Sequence, residues 1–179
     1  MKLTSFITAL ILFTVGCTET VEKEVINTNF NHKALVATVM SLGDSGVEGS
    51  VTFKEEGTGV LVEGEFSGLE PGKHGFHIHE FGDCRAADGT SAGGHYNPSE
   101  TTHGAPTDMD RHMGDMGNIE ANDSGIASVE YLDETITLEQ INGRGIIIHA
   151  GEDDLTSQPS GAAGSRIACG VIGVAQTHN

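Results

Sequence analysis

The chain has no tryptophan, only 5% aromatic residues and only 4 prolines. Positive charge is scarcer still, with 9 Lys and Arg against 26 Asp and Glu, for a formal net charge of −17. Nucleic-acid binding needs clustered positive charge, so this balance argues against a nucleic-acid partner. The acidity itself is ordinary support for solubility. Long apolar runs are missing as well: the longest, Phe6 to Val15, is too short to cross a bilayer comfortably. Glycine is abundant, with 25 residues in a chain of 179. That is length enough for one domain with a real core, and a glycine excess suits many short strands and tight turns.

The amino terminus reads as a targeting segment. Lys2, the apolar run and the small Gly16 before Cys17 form the pattern of an export signal. Thr14-Val15-Gly16-Cys17 resembles a bacterial lipobox, which makes residues 1–16 a signal peptide and Cys17 a lipidated first residue. Residues 17–33 are polar, charged and without a clear period, and read as a tether. The expected location is the cell envelope or periplasm, with the membrane held through the lipid only. Cys84 and Cys169 remain as an even pair. They are either two buried free thiols or a disulfide, and export favours the disulfide.

From Ala34 to the end the pattern is that of one domain. Val60, Val62 and Phe66 share one parity while Glu63 and Glu65 share the other, the mark of a sheet with one buried face. Further runs at 34–40, 75–80, 117–122, 126–132, 145–150 and 166–175 bring the count to about eight strands, with no convincing helix. The expected fold is all-β: an antiparallel Greek-key β-barrel or sandwich with two long loops, 82–116 and 152–165.

Histidine spacing carries the chemistry. His77 and His79 are two apart on a strand, so their rings share a face while Phe76 and Ile78 point to the core. His149 ends another apolar strand, Ile146 to Ile148. In the first long loop His95, His103, His112 and Asp115 follow at steps of 8, 9 and 3. Three imidazoles and a carboxylate form a tetrahedral set of the kind zinc takes.

Four stretches resemble the copper–zinc superoxide dismutase family in its bacterial, exported lipoprotein form. They are His74-Gly75-Phe76-His77-Ile78-His79-Glu80-Phe81-Gly82-Asp83-Cys84, Gly93-Gly94-His95-Tyr96-Asn97-Pro98, the run from His103-Gly104-Ala105-Pro106 to Asn118, and Gly164-Ser165-Arg166-Ile167-Ala168-Cys169-Gly170. The resemblance implies dismutation of superoxide to dioxygen and hydrogen peroxide, as antioxidant defence. It implies copper on His77, His79, His95 and His149, and zinc on His95, His103, His112 and Asp115, with His95 a bridging imidazolate. It also implies Asp153 as the carboxylate linking the two ligand sets, Arg166 as the guanidinium beside copper, a Cys84–Cys169 disulfide, and a structural role for His74. Catalysis would then rest on His95 and Arg166, with Lys73 and Arg85 as further candidates for steering the anion. A homodimer is left open. The alternative is a non-catalytic copper-binding envelope lipoprotein on the same barrel.

Overall fold

The computed structural model describes residues 30–176, so the expected signal peptide, Cys17 and most of the tether lie outside the described residues. Nine strands run in chain order: β1 (Ala34–Ser41), β2 (Glu48–Glu56), β3 (Gly59–Ser67), β4 (Gly72–His79), β5 (Asp115–Ala121), β6 (Ala127–Asp133), β7 (Gly145–His149), β8 (Arg166–Val171) and β9 (Gly173–Val174). They hydrogen-bond in the order β2-β3-β6-β5-β4-β7-β8-β1-β9, and a further β1–β2 pairing closes β1 to β8 into a barrel. Every pairing is antiparallel. Neighbours such as β3–β6 and β4–β7, which are not consecutive in sequence, are the crossovers of a Greek key.

Alternation of residue type produces the barrel wall. On β2 and β3 the inward residues Val51, Phe53, Val60, Val62 and Phe66 are buried, and the charged residues between them face water. The register sets Phe53 opposite Val62. Strands β4 and β7 differ: His74 to His79 and all five residues of β7 are buried. Phe76, Ile78, Ile146 and Ile148 belong to the barrel core, while Ile147 joins Ala92 and Cys169 in a smaller cluster under the first loop. A strand buried on both sides needs something covering its outer face. Here that cover is the pair of long loops.

The C-terminal run, read as one strand, is divided at Ile172. That residue turns away to pair with the β7 approach, donating from its N–H to the carbonyl of Arg144 and accepting from the N–H of Gly143. The remainder, β9, adds to β1 outside the closed barrel. One short helical turn, α1 (Leu138–Ile141), also escaped the sequence pattern. It is fixed by a capping box in which Thr137 and Gln140 satisfy each other's backbone donors, with Leu138 and Ile141 buried beneath. Upstream of β1, Phe30 already packs on the core.

The first loop is pinned at several points. Cys84 and Cys169 form a disulfide with Cα atoms 5.8 Å apart. Arg111 is buried, donating to Asp133 on β6 at 3.2 Å, to Thr135 at 2.9 Å and to the carbonyls of Pro106 and His112. A three-way ladder joins Ile78, Tyr96 and Gly114 through backbone hydrogen bonds of 2.8 to 3.0 Å. A Cβ on Gly114 would fall 2.1 Å from the carbonyl oxygen of Ile78, so this approach requires glycine.

Candidate metal centre

Two strands and one loop deliver four imidazoles to a single point. His77 and His79 project from β4, His149 from the end of β7, and His95 is brought alongside by a bridge between its backbone and that of His79. The rings of His77 and His95 lie 4.1 Å apart between centroids, and those of His77 and His149 5.0 Å apart. One nitrogen of each ring has a partner. Nε2 of His77 meets Asp153 Oδ2 at 2.8 Å, Nδ1 of His79 donates to Gly93 at 3.0 Å, and Nδ1 of His149 donates to Gly164 at 3.2 Å. Those bonds place the proton and leave the other nitrogen as a lone pair. The leftover nitrogens, His77 Nδ1, His79 Nε2, His95 Nε2 and His149 Nε2, are buried without a hydrogen-bond partner among the described residues. Four orphaned lone pairs in one place have no stabilising purpose in a core. They do suit a copper ion, for which imidazole is a favoured ligand.

The second set shares a ring with the first. His95 turns its Nδ1 to Asp115 Oδ1 at 2.7 Å, and the Nδ1 atoms of His103 and His112 reach the same oxygen at 3.0 and 3.1 Å. Oδ2 of Asp115 accepts from the backbone N–H groups of Gly104 and His112, which sets the carboxylate's orientation. Within each of these two groups of four residues the ligand atoms lie within 4.8 Å of one another. The His₃-carboxylate donor set fits zinc.

Burial tunes the groups toward metal binding. Desolvation pushes His77 down to about 4 and His149 down to about 3, and it holds His79 far below the ordinary imidazole range. These rings are neutral donors near neutral pH. For His103 burial acts in the same sense, but hydrogen bonding to Asp153 and the Asp115 charge outweigh it and raise the group. Asp115 is held down at about 2: burial works against its charge, and the His95 hydrogen bond and charge outweigh it.

Asp153 ties the two sets together, with Oδ2 on His77 and Oδ1 on His103 at 2.9 Å. Its own backbone is held on both sides by the Asn118 amide. Gly161 leaves the room: with φ at +66°, a Cβ there would sit 1.7 Å from Asp153 Oδ1 and 2.7 Å from His103 Nε2. His74 is no ligand. Its two ring nitrogens each lie 2.8 Å from a carbonyl oxygen, those of His149 and Glu70, so it braces the strand end that carries His149.

An opening of about 400 Å³ leads to the four-histidine set, lined by His79, His95, His149, Pro159, Ser160 and Arg166. The Arg166 guanidinium is fixed by the carbonyls of Gly89 and Gly93 in the disulfide-bearing loop. A larger concavity of about 680 Å³, between the ends of β1, β2 and β3, contains no metal-ligating cluster among the described residues. Lys73 and Arg85 lie outside the 400 Å³ opening, and each is paired with a carboxylate, Glu152 and Asp83 respectively. Among the described residues that leaves Arg166 as the cation at the mouth. The braces Gly93, Gly164, Gly161, Asn118 and Gln158 had no signal in histidine spacing: the first two act through their carbonyls, Gly161 through the absence of a side chain, and Asn118 and Gln158 through side-chain amides that grip the main chain of Asp153 and His103.

Comparison with known proteins gives a consistent picture. Residues 47–172 match the family model for copper/zinc superoxide dismutase (SODC). The chain is 49% identical over 139 residues to the extracellular superoxide dismutase [Cu-Zn] of Drosophila melanogaster, covering 72% of this chain and 76% of that protein. It also superposes on the crystal structure of the clock protein EA4 with a TM-score of 0.74 at 34% identity, covering 80% of this chain and 96% of that one.

Proposed function

The chain belongs to the copper/zinc superoxide dismutase family, and from that premise we propose how this superoxide dismutase distributes its work over its own residues. His77, His79, His95 and His149 hold copper; His95, His103, His112 and Asp115 hold zinc. The observation that carries this assignment is the set of four orphaned, buried ring nitrogens, one of them on a ring whose other nitrogen serves the second set. Copper, when bound, supplies a one-electron change in both directions, which oxidises one superoxide to dioxygen and reduces the next to peroxide, while zinc has no such change and secures the loop.

The protein's part is placement and proton handling. With Nδ1 committed to the zinc set, the His95 ring stays in position while its Nε2 takes up a proton in one half of the cycle and gives it up in the other. His95 would thus be the ligand common to both metals, with Nε2 as the nitrogen that handles the proton. Asp153 keeps the rings of His77 and His103 in their tautomers. Arg166, always charged, draws the small anion into the mouth and orients it. All seven ligand positions and the guanidinium are retained, which favours catalysis over a purely copper-holding role on the same barrel.

The setting is the cell envelope, reached by export and held by a lipid on Cys17. The disulfide supports an oxidising compartment. Fatty-acid labelling that persists in a Cys17→Ser variant would remove the anchor from this reading. A second copy is the partner proposed for the outer face near the disulfide. There Met40 is 66% exposed, Phe81 51% and Val171 46%. Met40 pairs with Cys169, two residues from Val171, and a Cβ on Gly82 beside Phe81 would meet Val171, so the three share one patch. The decisive experiment is metal analysis of the purified domain together with a superoxide-consumption assay. Near-equal copper and zinc with activity is expected; activity that survives complete copper removal would overturn the assignment.

A further inference from the structure

The second loop, residues 150–165, touches the first at a point that metal ligation does not explain. Gln158 Oε1 accepts from the backbone N–H of His103 at 2.9 Å, and Gln158 Nε2 donates to the backbone carbonyl of the same residue at 2.9 Å. A primary amide is the side chain that offers one acceptor and one donor at a spacing able to engage both main-chain groups of one residue. Two other amides in the same region do likewise, Asn118 on Asp153 and Asn97 on Thr101. Gln158 differs in what it grips. His103 is 4% exposed, its Nε2 is taken by Asp153, and its Nδ1 points into the His₃-carboxylate set. Its main chain belongs to no strand, so without Gln158 its N–H and carbonyl would need other partners. The same glutamine is followed by Pro159 and Ser160, which line the opening beside Arg166.

We propose that Gln158 is a positioning residue that holds His103 in its metal-binding pose and, from that anchor, sets the rim of the opening, so that zinc retention and rim shape are coupled through one side chain. The inference rests on the reading of His95, His103, His112 and Asp115 as the zinc site. It follows from connectivity: the grip on His103 and the rim are consecutive residues of one loop. Solvent reaches Gln158 itself, but the backbone it engages lies beneath it.

Two variants test this. Gln158→Met keeps the length and removes both polar functions. Gln158→Glu keeps an acceptor for the His103 N–H and turns the donor into an oxygen facing the His103 carbonyl. Proteins carrying both metals are challenged with a zinc chelator, and the zinc position is also loaded with Co(II) as a spectroscopic probe. Both variants are expected to lose zinc about 10-fold more readily, in line with the loss of an outer ligand brace. Both should also show altered Co(II) ligand-field bands and retain copper as wild type does. Melting of the metal-free, disulfide-bonded variants should stay within about 2 °C of wild type, since no core contact is removed. The coupling predicts non-additivity as well: stripping zinc should lower activity per copper less in the variants than in wild type. Unchanged zinc retention and unchanged Co(II) bands in both variants would overturn the inference while leaving the zinc site intact. A wild-type protein that takes up no zinc or Co(II) at these residues would overturn the site reading and the inference together.

Discussion

Substituting Gly161 by alanine adds one methyl group, and the structure states what that methyl meets. The new Cβ would lie 1.7 Å from Asp153 Oδ1, where 3.4 Å is ordinary contact, so the carboxylate must retreat by the difference, 3.4 − 1.7 = 1.7 Å. The hydrogen bonds that Asp153 accepts from His77 and His103 are 2.8 and 2.9 Å long, and neither survives a shift of that size. The backbone adds a second cost, since φ at +66° disfavours any residue with a Cβ by roughly 1–2 kcal/mol. Loss of an outer brace weakens metal binding by about 10- to 100-fold, and here one carboxylate braces a ligand in each set. Gly161→Ala should therefore weaken copper and zinc together by about 10- to 100-fold each, while the disulfide-bonded barrel still folds. Competition with chelators of known affinity for each metal measures both losses on one preparation. Wild-type affinity for either metal would refute the claim that Asp153 is the shared brace. Loss of zinc alone would show that His77 keeps its orientation by other means.

Four more outcomes follow from particular residues. Cys84→Ser opens a closure of 85 residues, worth about 4–5 kcal/mol at the upper end of the loop-entropy relation, and should lower the melting temperature by on the order of 10 °C in calorimetry. Activity should fall as well, because the loop it releases carries the carbonyls that hold Arg166. Asp88 faces Arg166 closely enough for each charge to shift the other's titration. Asp88→Asn should raise the superoxide rate about twofold at low salt, with the gain vanishing as salt rises; a gain independent of salt would exclude steering. Val171→Glu should give a monomer in sedimentation if the Met40–Phe81–Val171 patch seats a second copy. In the metal-free protein, folded His77 resists protonation down to about pH 4 and folded His149 down to about pH 3, whereas unfolded imidazoles titrate near 6.5. Stability is therefore full above pH 6.5 and is lost as the pH falls from there toward 3, by on the order of a few kcal/mol, as denaturant midpoints would record.

How much of this was legible depends on what kind of atom does the work. Alternation on β2 and β3 gave the barrel wall, because a side chain's parity decides which face it occupies. The pairing of His77 with His79 was legible for the same reason, since they share parity, and the structure brings them to His149 and His95. Where backbone atoms act, the pattern was silent. The split at Ile172 reflects the hydrogen bonds that its N–H donates to Arg144 and its carbonyl accepts from Gly143 rather than any change of residue type. The turn at Leu138–Ile141 is too short for helical periodicity to register, although its Thr137–Gln140 caps were there to be read. Lys73 and Arg85 looked available for steering because sequence does not reveal that Glu152 and Asp83 already engage them.

Closure of the barrel has a consequence for how this protein fails. Because β1 pairs with β2 as well as with β8, both edges of β1 are engaged among the described residues, the thinnest join of the wall is β5–β6 with the single pair Ala121–Ala127, and the strand left outside, β9, spans two residues. Cross-chain strand addition, the usual start of fibrous aggregation, lacks a template on β1 until one of its pairings is breached. The β1–β2 seam, where Ala34 to Val39 meet Lys54 to Gly49, is where a breach would uncover the longest such row on β1. Lesions that loosen this seam should make the protein self-associate before they abolish its chemistry, since the clustered histidine rings are carried on β4, β7 and the loops across the barrel.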